Sequence, residues 1–353
     1  MVDSTRSVAG VLVEPKRPGP FPGWVVLHGM TRRGPRHPEL LRFVRAIAST
    51  GARVLVPEIE EWVALDFAPE NAANVARAAV CWLHDSPGTI EGGVHLMGFS
   101  FGAPHAVRLA LSDEVEGKLR AVVGWGGYEN IEHVLWFAFT GEHEYAGRQF
   151  REIPDPYARW VIGINCLALA GEFRDRGSLI AGLRILATEA GDRQIRASHP
   201  HCVALRETLS SSLSTSDREL FDLFAPPPGV HPDPAEARRL VDALVPAVRQ
   251  ASPLLDPFGS MRSEGSKSRG HYRTHIPILI MHGRSDRMLP FTESLRLHET
   301  LAGASPNLTV RVLGQFGHSA RGPRSNALGR LKEGLDFLDA IQSVLSLGRH
   351  PRR

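Results

Sequence analysis

The sequence predicts an α/β protein: a mostly parallel sheet with helices on both faces. Three observations carry that expectation. Short continuous apolar runs, the mark of strands buried on both sides, recur along the chain. Segments of helical period alternate with them toward both ends. Glycine and proline, 34 and 26 of 353 residues, punctuate these segments without a collagen-like period.

Ser7 to Glu14 alternates weakly and reads as an edge strand, closed by the turn-rich PKRPGPFPG. WVVLHG (Trp24 to Gly29) and ARVLVPE (Ala52 to Glu58) read as buried strands. Between them, apolar residues at Leu40, Leu41, Val44, Ile47 and Ala48 give a helix and complete a β-α-β unit. The pattern continues with a helix over Glu70 to His84 and a strand over Gly93 to Phe99. A helix after Ser100 and a strand over Ala121 to Gly127 follow. At Tyr128 the alternation stops. The stretches RWVIGINCLALAGEF, SLIAGLRILATEA and PAEARRLVDALVPAVRQ are helical in period, and no β-rich run appears among them. Gly259 to His275 is polar and Gly/Ser-rich, which predicts a loop. The sheet pattern then resumes with Ile276 to Gly283, a helix near Glu293 to Leu301, a strand over Leu308 to Phe316 and a last helix over Asn326 to Leu345. The expected organisation is a core of residues 1–128 and 276–353, enclosing a helical insertion of residues 129–275.

Composition narrows the function. A hydrophobic share of 42% with 22% charged residues excludes wholesale disorder. The net charge of +3 is spread along the chain and gives nucleic-acid binding no support. Arginine outnumbers lysine 37 to 4, which reads as the codon bias of a GC-rich genome. Cys81, Cys166 and Cys202 are odd in number and widely spaced, which argues against a disulfide framework or a CxxC zinc site and predicts buried thiols. With no apolar leader and no run of 18 apolar residues, the expectation is a soluble, cytoplasmic protein without a membrane partner. Nothing in the sequence speaks to oligomeric state.

The chemistry centres on Gly98-Phe99-Ser100-Phe101-Gly102. Alone, a G-x-S-x-G match is weak. Here it falls where a predicted strand ends and a predicted helix begins, the strand-turn-helix setting of a nucleophile elbow. Such a turn needs small neighbours at Gly98 and Gly102, and it lifts the hydroxyl clear of the sheet to a helix N-terminus. The plainer reading is a serine that merely caps the helix. A serine nucleophile requires a base and a carboxylate that orients it. His318 in GQFGHSARGP and Asp286 in MHGRSDRMLP each stand in the loop after a predicted strand, at the sheet edge where Ser100 sits. As structural residues they would be a loop histidine and a turn or helix cap. The tetrahedral oxyanion needs amide donors, expected from Phe101 and from Met30 in the loop His28-Gly29-Met30.

The neighbours Thr31, Arg32 and Arg33 could bind an anionic substrate group, although a solvated loop face is the more economical reading. VLWFAF (Val134 to Phe139) would either line an acyl pocket or form a buried helix. HPHC (His199 to Cys202) and GEHEY (Gly141 to Tyr145) hold metal-binding residue types, but their spacing fits no four-ligand zinc pattern.

Together LHGM, GFSFG, MHGRSD and FGHS, each at the end of a predicted strand, resemble the α/β-hydrolase superfamily over most of residues 7–128 and 276–346. The order Ser100, Asp286, His318 is that fold's nucleophile, acid and base. The opening GVLVEPKRPGPFPGWVVLHG is also similar to the dienelactone hydrolase and acyl-peptidase-like branch. The resemblance implies a serine hydrolase that needs no metal or organic cofactor, with a cap inserted after the sixth strand, where the helical insertion falls. In some members the acid follows that strand, and Glu129 stands there, but the H-G-x-x-D setting favours Asp286. The expected activity is cleavage of a small-molecule carboxylic ester through an acyl-enzyme. Thioesterase, acyltransferase and peptidase chemistry share the same triad. A non-catalytic relative would be expected to have lost one of its members.

Overall fold

In the computed structural model, which describes residues 7–264, 273–305, 307–314, 339–344 and 346, the buried apolar runs pair into one sheet of seven strands. These are β1 (Gly10–Val13), β2 (Gly23–Leu27), β3 (Arg53–Pro57), β4 (Val94–Phe99), β5 (Leu119–Trp125), β8 (Ile278–Gly283) and β9 (Leu308–Leu313). A separate hairpin holds β6 (Glu142–Tyr145) and β7 (Arg148–Arg151). The spatial order is β1-β3-β2-β4-β5-β8-β9. Only β1 runs antiparallel to its neighbour, at the edge. All other pairs are parallel, with β4 between β2 and β5. Every residue of β2, β3 and β8 is buried, as strands covered on both faces require.

The pleat sends alternate residues to opposite faces. Val25, Leu27, Leu55, Leu96, Val122 and Ile280 join one apolar core. Trp24, Val26, Val54, Val56, Met97 and Val123 join another. The second core is closed by Val44 and Ile47 of α1 (Pro38–Ser49) and by Ala340 and Val344. The first is closed by Trp62 of α2 (Glu60–Val63) and by α3 (Pro69–Asp85), α4 (Gly102–Ala110) and α12 (Thr292–Thr300). Both α1 and α3 start at a proline, whose fixed φ suits the first helical position and whose missing N–H costs nothing there. Of the expected last helix, Asn326 to Leu345, residues 339–344 are helical, and the rest lies outside the described residues.

After β5, the fifth strand of the described sheet in chain order, and before β8 the chain is chiefly helical: α5 (Ile131–Thr140), α6 (Pro156–Cys166), α7 (Gly177–Arg193), α8 (Pro200–Ser212), α9 (Thr215–Phe224), α10 (Pro234–Ala251) and α11 (Gly259–Glu264). Asn130, Asp155, Ser214 and Asp233 cap the first turns of α5, α6, α9 and α10 through their side-chain oxygens. These helices extend the first core, with Phe139, Leu183, Phe221, Phe224 and Leu244 all buried in it. Burying such a side chain contributes roughly 1.5–3 kcal/mol. The buried Arg159 donates to Ala138 O at 3.0 Å and Phe224 O at 3.2 Å. It thus sets a cation against the last-turn carbonyls of α5 and α9. Burial lowers its pKa to about 10, which leaves it charged at neutral pH.

One open reading takes form and two expectations change. VLWFAF forms the buried helix α5, with Phe139 edge-on to Phe224 at 5.2 Å between centroids. The first residues of the expected Gly259 to His275 loop form α11, while residues 265–272 lie outside the described set. The stretch expected to lack strands contains the β6–β7 hairpin, and GEHEY supplies its first strand. Ala146 at φ 50° and Gly147 at φ 73° make its two-residue turn. His143 stacks on Phe150 at 5.2 Å, and Arg296 of α12 donates to Glu144 O at 2.8 Å. An Ala-Gly turn between four-residue strands carrying Glu and His gives little hairpin signal in sequence.

Candidate active site

β4 ends at Phe99 and α4 begins at Gly102, so the chain reverses within Ser100 and Phe101. Ser100 sits at φ 53°, a left-handed conformation that costs a non-glycine residue roughly 1–3 kcal/mol. The turn is held by Ser100 N donating to Trp125 O at 2.8 Å and Ala103 N donating to Ser100 O at 2.9 Å. A Cβ on Gly98 would lie 2.1 Å from Gly102 O, and one on Gly102 would lie 2.9 Å from His28 O. Both glycines are therefore steric requirements. The result is a half-buried serine at the C-terminal end of a central strand, beside the N-terminus of α4.

The loop after β2 lies against it. A Cβ on Gly29 would come within 2.9 Å of Ser100 Cβ and 3.4 Å of Oγ, so only a bare backbone passes there. His28 fixes that backbone. Its Nδ1 lies 2.7 Å from Gly29 O, and its Nε2 accepts from Ile59 N at 3.2 Å, which makes Nδ1–H the donor to the carbonyl. Burial pushes the imidazole down to about 4, so it is neutral at physiological pH, as this acceptor role demands. Met30 is half-buried against the first core. Phe101 stacks on Phe67 at 5.0 Å and meets the edge of Trp62 at 5.4 Å, which anchors the first residue after the serine. Ser100, Phe101 and the His28–Met30 backbone are thus brought together.

Asp286 is buried in the turn after β8. Its Oδ1 accepts from Met288 N at 2.8 Å and Leu289 N at 3.0 Å, an Asx-type turn that fixes the carboxylate's orientation. Oδ2 lies 3.4 Å from Nε2 of the buried His282, whose Nδ1 lies 2.7 Å from Ser294 Oγ. The turn role named as the plain alternative is therefore present. His318 lies outside the described residues. Glu129 is committed elsewhere: its Oε1 accepts from Arg262 Nη1 at 2.8 Å and Thr300 Oγ1 at 3.1 Å. Burial raises its pKa, while Arg262 opposes the rise.

Arg32 and Arg33 face neither solvent alone nor an open anion site. Arg32 Nε pairs with Asp192 Oδ1 at 2.9 Å, its Nη1 donates to Val63 O at 2.7 Å, and Arg33 Nη2 donates to Asp192 O at 2.8 Å. Asn165 of α6 accepts from Phe67 N at 2.8 Å and donates to Leu65 O at 2.9 Å. Asp155 N donates to Arg287 O at 2.7 Å. The segment around α6 and α7 is thereby fastened to the loops that follow β2, β3 and β8. Nothing in the sequence pairs residues so far apart.

Of the metal-type residues, His199 accepts from His201 N as the cap of α8, and His201 lies 3.0 Å from Glu189. Among the described residues, ligand atoms of Glu129, His133 and Glu293 lie within 4.8 Å of one another. Those atoms already answer internal donors, since Glu293 Oε2 accepts from Glu129 N and Asn130 N, and Oε1 lies 2.9 Å from His133 Nδ1. Among the described residues no helix is long and apolar enough to cross a membrane.

A mostly parallel sheet of this strand order, with a positive-φ serine turning β4 into α4, decides the architecture. The fold is that of an α/β hydrolase. No protein-family model matches the sequence, and no curated protein does. Solved structures do, at low identity. A brefeldin A esterase, a bacterial homologue of human hormone-sensitive lipase, is 16% identical with a TM-score of 0.47, covering 97% of this chain and 75% of its own. Est1E from Butyrivibrio proteoclasticus is 14% identical with a TM-score of 0.45, covering 96% and 95%. An acylaminoacyl peptidase from Pyrococcus horikoshii is 12% identical with a TM-score of 0.45, covering 98% of this chain and 40% of that one.

Proposed function

We propose that the protein is a serine hydrolase that cleaves a small-molecule carboxylic ester through an acyl-enzyme. The observation that carries the reading is Ser100 held at φ 53° at the end of β4, with Gly29 in contact with it. Ser100 Oγ attacks the ester carbonyl while His318 takes its proton, and Asp286 orients the imidazole. The amides of Met30 and Phe101 stabilise the oxyanion. His318 then returns the proton to the leaving alcohol, and a water, activated by the same base, releases the acid and restores Ser100. No cofactor enters this scheme. Asp286 is preferred to Glu129 as the acid because Glu129 is already paired with Arg262.

The helices of residues 129–275 act as a cap in this reading, supported by the bonds that fasten α6 and α7 to the loops beside Ser100. Three free cysteines support a reducing compartment, the cytoplasm. A fluorophosphonate probe together with a panel of 4-nitrophenyl esters, thioesters and anilides tests the proposal. Labelling at Ser100 with ester turnover is the expected result. Labelling with zero turnover across the panel would remove ester hydrolysis and leave an acyl transferase.

A further inference from the structure

We propose that Arg32 is a positioning residue for the oxyanion amide of Met30, and that Asp192 at the end of α7 holds it there. This rests on the serine-hydrolase reading of Ser100. Arg32 stands two residues after Met30, and its guanidinium is held in two directions. Nε and Nη2 form a fork onto Asp192 Oδ1 at 2.9 Å and Oδ2 at 3.5 Å, and Nη1 donates to Val63 O at 2.7 Å. Arg33 adds a bond to Asp192 O at 2.8 Å. The arginine stem lies directly on α7: a Cβ on Gly191 would be 2.4 Å from Arg32 Cγ. The same loop touches Ser100 through Gly29. Its far end is therefore tied to α7 and its near end lies on the nucleophile.

Asp192 is informative in its own right. It lies in the last turn of α7, where the unsatisfied carbonyls carry partial negative charge and a carboxylate is disfavoured. The carboxylate's placement there is accounted for by the Arg32 fork, while Arg33 bonds the main-chain carbonyl of the same residue. The pair is partly exposed, with side-chain exposures of 26% and 50%, so it adds little to global stability. What it fixes is the path of residues 30–33. Displacing an oxyanion donor by a fraction of an ångström costs rate and leaves the fold intact.

The test is the second-order rate of fluorophosphonate labelling at Ser100, which reads oxyanion stabilisation without needing the natural substrate. Arg32→Ala is expected to slow it about tenfold, with a fall in kcat and little change in KM on a 4-nitrophenyl ester. Asp192→Asn should slow it less, and the double variant no more than Arg32→Ala. Arg32→Lys, which keeps the charge and loses the fork, should recover part of the rate. The control is Arg184→Ala, which cuts a different bond from α7, to Asp66 and Ala64 O, and should label at the wild-type rate. Equal rates in wild type and Arg32→Ala would overturn the positioning role. So would an Arg184→Ala variant as slow as Arg32→Ala, since general attachment of α7 would then explain both. Wild-type protein that fails to label would overturn the hydrolase reading itself, and this inference with it. Should Arg32→Ala not fold, the Arg32→Lys and Asp192→Asn rates decide.

Discussion

At the scale of single residues, the account turns on what surrounds Ser100. Ser100→Ala should lower ester turnover by three or more orders of magnitude with no change in the denaturation midpoint. Asp286→Asn should lower kcat by about 10³–10⁴, whereas Glu129→Gln should stay within about tenfold of wild type in a purified, folded preparation. The reverse ranking would transfer the acid's role to Glu129. Ser100, Gly98 and Gly102 were legible in sequence because the elbow is a local pattern whose steric demand falls on adjacent residues. His28 was legible only as a neighbour of Gly29. Its bond to Ile59 N joins residues 31 apart, and no local pattern announces it.

At the scale of elements, strands buried on both faces and the helices between them could be read from apolar runs, because burial on two sides leaves no polar alternation to confuse the period. The β6–β7 hairpin could not, because its short polar strands are stabilised by α12 and by aromatic contacts from Phe150 and Phe291. The join between β5 and α5 depends likewise on a distant residue. Glu293 of α12, fully buried, accepts both Glu129 N and Asn130 N through Oε2, at 3.0 and 2.8 Å. Glu293→Ala leaves two buried amides unpaired. It should destabilise the protein by about 3–5 kcal/mol in urea denaturation, and a loss below about 1 kcal/mol would show that water replaces the carboxylate.

At the scale of the whole molecule, the helices of residues 131–264 share one apolar core with a sheet face, and α6 and α7 are bonded to the loops beside the serine. Stability should depend on pH through buried histidines, His28 and His105 foremost, whose pKa values burial lowers from 6.5 to about 4. The folded state favours the neutral ring, so the unfolded chain takes up protons first as pH falls below 6.5. The stability contributed is complete above that pH and is lost progressively toward pH 4, on the order of 3 kcal/mol for each residue. The urea midpoint should therefore drop between pH 7 and pH 4.5. His105→Leu should flatten that drop and cost little at pH 7, since His105 Nε2 is buried without a hydrogen-bond partner. The central claim, that the strained turn after β4 presents a nucleophile, is tested most directly by mass-spectrometric mapping of a fluorophosphonate adduct. The account predicts a single modified peptide carrying the label on Ser100, absent from Ser100→Ala. No adduct on the folded wild-type protein, or an adduct that persists in Ser100→Ala, would contradict it.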